Sequence, residues 1–145
     1  KGIPSFSPEH FRYVNNADPM KSKQLFKGLD QLMDEGVAQL FTIEMNGRKV
    51  IGTVGALQYE VIQYRLEHEY GAKCTYEPLQ VHKACWVEAT NPKNEEFQEF
   101  LRVKQRYLAK DKQGQLVFLA DSEFTIQMTL SKYPSVKLHF TSEFK

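Results

Sequence analysis

A hairpin that leads through a glycine turn straight into a helix is the feature that most constrains how this chain folds. Residues 41–45 alternate between apolar and polar side chains, which indicates a half-buried strand, and Asn46-Gly47 favours a type I′ turn. Residues 50–54 then return as an antiparallel strand. The segment Gly52-Thr53-Val54-Gly55 leads into an amphipathic helix over residues 57–70, and its glycines would let helix and strand approach closely.

Segments on either side of this unit complete a known order of elements. Residues 10–14 predict a first strand, Asp18-Pro19 starts a helix that stops at Gly36, and residues 72–76 alternate as a fourth strand. The order β-α-β-β-α-β is the split βαβ plan of ferredoxin-like domains, with both helices on one face of an antiparallel sheet. The apolar positions that mark the two helices are Leu25, Leu29, Leu32 and Met33 in the first, and Leu57, Val61, Ile62 and Leu66 in the second.

The residues after Glu77-Pro78 predict further α/β structure. Strands are expected at residues 81–89, 116–120 and 136–140, helices at 94–107 and 121–133, and a polar turn at 110–115. The predicted fold class is α+β, a two-layer α/β sandwich. A ferredoxin-like subdomain over residues 1–78 would be followed by a β-α-β-α-β extension over residues 79–145, within one domain, and the two halves carry a weak two-fold echo.

Composition excludes several classes of protein. The formal net charge of +1 is small for a domain that binds nucleic acid through its overall field, so any RNA contact has to come from a local patch. No apolar run approaches the roughly 18 residues of a membrane span. The chain begins at Lys1 without a methionine, and we expect it to be an excised or processed piece of a longer protein.

Residues with catalytic or metal-binding potential are few and scattered. No phosphate loop of the form G-x-x-x-x-G-K-[ST] is present. His82-x-x-Cys85 is a single pair, whereas zinc sites need about four ligands, and with Cys74 it is most simply structural. We therefore expect no catalytic, cofactor-binding or metal-binding residue in this chain, although a small enzyme that uses Cys85 or His82 remains an alternative.

The first helix carries its charges in an order that its own dipole disfavours. Lys21, Lys23 and Lys27 lie in its first half, and the acidic residues Asp30, Asp34 and Glu35 lie in its second half. Each misplaced charge costs about 0.3–1 kcal/mol. One hypothesis is that the lysines form a patch for an acidic partner such as RNA phosphates, and the alternative is a surface helix that tolerates a small cost.

Beyond the hairpin, several stretches resemble the C-terminal domain, or domain III, of the bacterial peptide chain release factor 3 family of translational GTPases. The matching stretches are Leu57-Gln58-Tyr59-Glu60, Phe6-Ser7-Pro8-Glu9-His10-Phe11-Arg12, Lys21-Ser22-Lys23-Gln24-Leu25-Phe26-Lys27-Gly28-Leu29, Asp34-Glu35-Gly36, Glu69-Tyr70, Trp86-Val87-Glu88 and Tyr133-Pro134. The resemblance continues into the second half, which separates this family from elongation-factor relatives.

The resemblance implies a non-catalytic domain of a cytoplasmic, ribosome-dependent GTPase that promotes dissociation of class I release factors after termination. It implies contact with small-subunit protein and ribosomal RNA, packing beside the protein's own GTPase and barrel domains, and transmission of the nucleotide state. GTP or GDP and Mg²⁺ would bind in the N-terminal domain, and no membrane or DNA partner is expected. Our candidates for ribosome contact are Lys21, Lys23, Lys27 and Arg65. The alternative is a stand-alone ferredoxin-like module that binds RNA or senses a ligand.

Overall fold

A computed structural model describes residues 5–144, which form four α-helices and eight strands. The strands are β1 (His10–Asn16), β2 (Gln39–Ile43), β3 (Lys49–Thr53), β4 (Cys74–Pro78), β5 (Lys83–Ala89), β6 (Leu108–Lys110), β7 (Leu116–Ala120) and β8 (Val136–His139). The helices are α1 (Ser22–Asp34), α2 (Gln58–Tyr70), α3 (Glu95–Val103) and α4 (Glu123–Lys132). Short 3-10 turns precede α1 at Pro19–Lys21 and follow α3 at Gln105–Tyr107.

All eight strands join one antiparallel sheet in the order β4-β1-β3-β2-β6-β7-β5-β8. The first four strands have the order of the predicted ferredoxin-like unit, and the α+β sandwich is confirmed. Read from the other edge, β8-β5-β7-β6 repeats that order. The chain is therefore two β-α-β-β-α-β units joined through β2 and β6, which are the equivalent strands of the two units.

The second unit corrects the predicted β-α-β-α-β extension, which lacks β6. Residues Leu108–Lys110 were expected at the end of a helix and the start of a turn, but they pair with both β2 and β7. A three-residue strand is too short to show an alternating pattern, and it follows α3 and a 3-10 turn without an intervening loop. The helix itself ends at Val103 rather than near residue 107.

The sheet curls so that the faces without helices meet. Phe41 on β2 and Trp86 on β5 lie three strands apart, which is about 14 Å in a flat sheet. Their ring centroids are nevertheless only 6.2 Å apart. The central core between the two halves draws its buried residues from strands alone in the described part of the chain: Phe11, Phe41, Ile43, Val50, Ala84, Trp86, Ala109, Val117 and Leu119. Each half is thus a two-layer α/β sandwich, and the helices of both halves lie outside.

The segment before β1 ties the two halves together a second time. Phe6 forms a bridge with Thr141, and the Ser7 amide donates to the Phe140 carbonyl over 2.9 Å. The Ala84 amide of β5 donates to the Ser7 hydroxyl over 2.9 Å. Because the β2–β6 joint contributes only the pairs Thr42–Lys110 and Ile43–Ala109, these contacts help to hold the curled sheet closed.

The helices of each half cover a separate hydrophobic core. The buried positions of α1 agree with the prediction, and those of α2 differ from it in part. The four predicted positions of α1 are buried. On α2, Ile62 and Leu66 are buried as well, but Leu57 and Val61 are exposed and Tyr59 takes the inward position. The Tyr59 hydroxyl donates to the Ile51 carbonyl over 2.7 Å, so this polar aromatic residue is satisfied inside.

The β2–β3 connection also differs from the predicted type I′ turn. That turn needs a positive φ at both central residues, and among residues 5–144 only glycines have one. Gly47 has a φ of 73°, whereas the Asn46 side chain accepts a hydrogen bond from the Arg48 amide at 3.0 Å. The side-chain bond of Asn46 stabilises a longer loop, and Met45 lies in that loop rather than in the strand.

Two glycines mark close contacts, and neither contact is the predicted approach of α2 to the strand before it. A Cβ at Gly52 would lie 2.5 Å from Pro8 Cγ, so the space is taken by the segment before β1 and not by α2. A Cβ at Gly28 would lie 2.7 Å from Leu66 Cδ2 and 2.9 Å from the Tyr70 ring. The absence of a side chain at Gly28 therefore sets how closely α1 and α2 pack.

None of the helices within residues 5–144 has both the length and the apolar character that crossing a membrane requires.

We predict that Gly28→Ala lowers the free energy of unfolding by about 1–3 kcal/mol, as overpacked cores do. The result would run against helix propensity, which favours Ala over Gly by about 1 kcal/mol. Urea unfolding measures the change. Gly55→Ala is the matched control, because a Cβ there meets only Gln58 Oε1 at 3.7 Å. A Gly28→Ala protein as stable as the parent would contradict the close contact.

Candidate functional site

The acidic half of α1 is neutralised by cations from other elements. Lys112, in the loop between β6 and β7, reaches Asp34 at 2.5 Å and Asp30 at 3.8 Å. Arg65 of α2 reaches Glu35 at 2.7 Å. The acids that the helix dipole disfavours at this end therefore each have an opposite charge nearby, which offsets that cost.

The basic half of α1 has no such compensation. Lys23 and Lys27 are exposed and lie one turn apart, so their ammonium groups share a face of the helix. Lys21 ends the 3-10 turn just before α1. None of these three lysines forms an ion pair with any residue that the structure describes. We call Lys21, Lys23 and Lys27 the basic end of α1.

An aromatic ring and one further cation border the basic end. Phe26 is 46% exposed, and Lys49 Nζ of β3 lies 5.9 Å from its ring centroid. Arg48, the neighbouring cation on the hairpin, is engaged in contacts within the fold. It forms an ion pair with Glu77 at 2.6 Å, and its guanidinium lies 3.6 Å from the centroid of the Tyr13 ring. On this part of the surface, the positive charge without an ion-pair partner therefore lies on α1, with Lys49 at its edge.

Arg65 lies away from the basic end and has a structural role. Its guanidinium binds Glu35 at the end of α1 and Glu69 one turn further along α2, at 2.7 and 2.8 Å. Glu35 follows Lys23 by twelve helical positions, which is about 18 Å along the axis. The structure therefore brings Lys23 and Lys27 together and separates Arg65 from them. Ribosome contact by any of the four residues stays a prediction.

We call Arg65 and its partners Glu35 and Glu69 the clamp, and these three charged groups shift one another's pKa values. Hydrogen bonds from Arg65 hold the pKa of Glu35 and of Glu69 below the ordinary carboxyl value, and the two carboxylates raise the pKa of Arg65. All three groups are open to solvent, so the coupling is screened and its energy is small. Its direction is still clear: the ion-paired state favours the folded protein only while the carboxylates are charged.

We predict that Arg65→Gln destabilises the chain at neutral pH and that this loss shrinks as the solution is acidified. Carboxylates with a lowered folded pKa stabilise the fold above their unfolded pKa, and that contribution disappears as the pH falls through the folded value. Urea unfolding of parent and variant at neutral pH and at about pH 3 measures the difference. Arg106→Gln is the control, because Arg106 is exposed and has no ion pair with a described residue. A pH-independent difference would contradict the clamp.

The glycine turn before α2 lines a cleft between the two halves. Gln58 fixes this turn: its Oε1 accepts from the Gly55 amide at 2.7 Å, and its Nε2 donates to the Val37 carbonyl at 2.5 Å. The cleft measures about 550 Å³, and Pro8, Val54 and Lys112 are among its lining residues. The glycine turn and Gln58 therefore have a structural explanation, because the hydrogen bonds of Gln58 join the start of α2 to the α1–β2 connection.

Polar groups of the cleft are largely engaged in holding the halves together. Asp111 accepts from Trp86 Nε1 at 2.9 Å through one oxygen and from the amides of Gln113 and Gln115 through the other. Lys112 is bound to α1, and Gln39 Nε2 donates to the Phe6 carbonyl at 2.7 Å. With its side chains committed in this way, the cleft is a junction between the halves rather than a prepared binding site.

Neither thiol is placed for chemistry. Burial raises the pKa of the Cys85 thiol to about 12 and also raises the pKa of Cys74. A thiol with a raised pKa is a poor nucleophile and a poor metal ligand. His82 Nε2 lies 3.6 Å from Glu123 at the start of α4. Within residues 5–144, no group of three or more His, Cys, Asp and Glu side chains is arranged to hold a metal ion.

Comparison with protein families gives a match over most of the chain. The model of the class II release factor RF3, C-terminal domain, matches residues 1–130 of the 145. The match runs through both β-α-β-β-α-β units as far as α4. The chain therefore belongs to the RF3 C-terminal domain family, a non-catalytic part of release factor 3, which is a translational GTPase. The resemblance seen in the sequence is confirmed.

Sequence reasoning missed two of the contacts that organise the site. Glu69 lies four residues after Arg65, and this spacing was a readable signal for a helical ion pair. Lys112 lies 78 residues from Asp34 in the chain. No local pattern connects them, because the contact exists only once the sheet has curled and brought the β6–β7 loop to α1.

Proposed function

We propose that this chain is the domain through which a release factor 3 GTPase contacts ribosomal RNA of the small subunit, with the basic end of α1 as its contact. In this role it helps the factor to promote dissociation of class I release factors after termination. GTP or GDP and Mg²⁺ bind elsewhere in the full-length protein, which acts in the cytoplasm where ribosomes translate. No residue of this chain takes part in the hydrolysis of GTP.

The observation that carries this proposal is a difference between the two ends of α1, whose acidic side chains have ion-pair partners and whose lysines have none among the described residues. The acids at one end are each met by Lys112 or Arg65, whereas Lys23 and Lys27 have no partner among the described residues. Cations near a helix N-terminus also oppose the dipole. A stability argument therefore accounts for the acidic half and leaves the basic half unexplained. A polyanion such as RNA supplies the charge that is lacking and releases counterions when it binds.

The fold supports a mechanical role for the domain. The two units share a core, and the halves are also joined by the segment before β1 and by Lys112. A body joined in this way moves as one piece, so a rotation imposed on one side displaces α1 as well. Transmission of the nucleotide state then requires only that the domain follow the GTPase part while α1 contacts the ribosome.

A stand-alone RNA-binding module of ferredoxin-like topology would lack its usual RNA-binding surface in this fold. Common RNA-recognition domains of ferredoxin-like topology stack bases on the open face of the sheet. Here that face holds Phe41 and Trp86, both fully buried between the two halves. RNA can therefore reach the helices and loops but not the aromatic residues of the sheet.

We predict that the double change Lys23→Glu and Lys27→Glu weakens binding of the full-length factor to ribosomes. Loss of two phosphate contacts should also make the dependence of log K on log salt shallower, by roughly one unit per contact. Sedimentation of factor with ribosomes over a salt series measures both quantities.

Lys93→Glu with Lys137→Glu is the matched control for charge. Both lysines are exposed on the second unit and have no ion pair with a described residue. This control should retain the parent salt dependence. Unchanged affinity and slope in the Lys23 and Lys27 variant would refute the proposed contact, and tighter binding of naked RNA than of ribosomes would favour the stand-alone module instead.

A further inference from the structure

A second cavity lies at the opposite end of β2 from the cleft. Its buried lining residues, Ile43 and Leu119, belong to the central core and form its floor. Its exposed rim carries Asn46 of the β2–β3 loop, Gln80 of the β4–β5 connection, and Arg106 and Tyr107 of the 3-10 turn after α3. The cavity measures about 290 Å³, which is near the lower limit of small-ligand pockets. We call it the hairpin pocket.

The polar groups of the hairpin pocket are free, in contrast to those of the cleft. The side chains of Gln80, Arg106 and Tyr107 form no hydrogen bond or ion pair with any residue that the structure describes. Asn46 uses only its Oδ1, which accepts from the Arg48 amide at 3.0 Å, so its Nδ2 is available as a donor. The pocket therefore combines an apolar floor with an uncommitted polar rim, which is the usual composition of a ligand site.

The side chains of the rim suit a nucleotide. The amides of Asn46 and Gln80 carry donors and acceptors that match the edge of a base. The Tyr107 ring is 42% exposed and pairs with no other aromatic ring among residues 5–144, so it is available to stack on a base. The guanidinium of Arg106 presents a planar set of donors that fits a phosphate group.

The charges around the hairpin pocket favour an anion. Among the described residues that line it, there is no Asp or Glu. Glu44, at the start of the β2–β3 loop, forms an ion pair with Lys110 at 3.5 Å, and Glu77 is paired with Arg48. Arg106 is therefore an excess positive charge at the rim. A phosphate group would be attracted here, whereas a basic segment of a protein would be repelled.

The β2–β3 loop connects the hairpin pocket with the basic end of α1. Asn46 lines the pocket, whereas Gly47 and Lys49 line a neighbouring hollow together with Phe26 of α1. Asn46 precedes Lys49 by three positions, which corresponds to at most about 11 Å of backbone. A single strand of RNA that contacts the lysines of α1 would therefore reach the pocket within a few nucleotides.

We propose that the hairpin pocket takes one unstacked base of the ribosomal RNA that the basic end of α1 contacts. The Tyr107 ring stacks on the base, the amides of Asn46 and Gln80 bind its edge, and Arg106 binds its phosphate. This inference rests on the proposed function and adds a second contact of different chemistry to it. The lysines of α1 hold the RNA through its charge, whereas the pocket recognises an unpaired base.

The test measures ribosome binding by full-length factor that carries Tyr107→Leu. We expect binding about tenfold weaker than that of the parent, which is the order of the contribution of one stacked base. Its dependence on salt should stay the same, because no charge is removed. Tyr107→Phe should retain the parent affinity, since it keeps the ring. Tyr64→Leu is the matched control, because Tyr64 is an exposed tyrosine on α2 that does not line the pocket.

Chemical probing of the ribosomal RNA with dimethyl sulfate and a carbodiimide then reports the base itself. The parent factor should protect one unpaired base that becomes reactive again when Tyr107→Leu is bound at saturation. Parent affinity for Tyr107→Leu would overturn the inference. Weaker binding with every base still protected would overturn it as well, because it would assign the pocket to a ribosomal protein.

The salt dependence separates this inference from the function proposed above. The double change Lys23→Glu and Lys27→Glu tests contact by α1 through the salt dependence of binding, whereas Tyr107→Leu tests the pocket through a single base at constant salt dependence. An unchanged salt dependence in the lysine variant refutes the contact by α1 alone. An unchanged pattern of base protection in Tyr107→Leu refutes the pocket alone.

Discussion

Packing of the two helix-free sheet faces against each other is the interaction on which the rest of this structure depends. Phe41 of the first unit and Trp86 of the second are fully buried, and Trp86 is further fixed by its bond to Asp111. Once these faces are joined, the sheet has no open surface left for a ligand, and the helices become the outer layers. The functional surfaces must then lie on helices and loops. The surface proposed for ribosome contact, the basic end of α1, is of this kind.

The same curling explains the charge pattern of α1. It brings Lys112 of the second unit to Asp30 and Asp34, while Arg65 of the neighbouring helix holds Glu35. Acids that are unfavourable near a helix C-terminus thus become the attachment points of other elements. The lysines at the opposite end have no such role among the described residues, which makes them available to an external polyanion. The family identifies the chain as part of release factor 3, and the ribosome is the polyanion that this setting offers.

Much of the first unit could be predicted from local patterns, because its helices and strands are long enough to show their periodicity. Other features depend on contacts that have no local signal. The strand β6 has three residues, and its pairing with β2 is a long-range event. The side of α2 that faces inward could not be chosen from hydrophobicity, since both sides are apolar and Tyr59 takes a buried position that Leu57 does not. For the candidate site, the lysines were visible in the sequence, but the neutralisation of their acidic counterparts required the fold.

Photo-crosslinking from the basic end of α1 tests the central claim most directly. A photoreactive amino acid at position 23 or 27 of the full-length factor, bound to ribosomes, reports which molecule lies against this helix. The account predicts crosslinks to small-subunit ribosomal RNA from both positions, and none to ribosomal RNA from position 131 on α4. Crosslinks to protein alone, or an equal yield to RNA from all three positions, would contradict it.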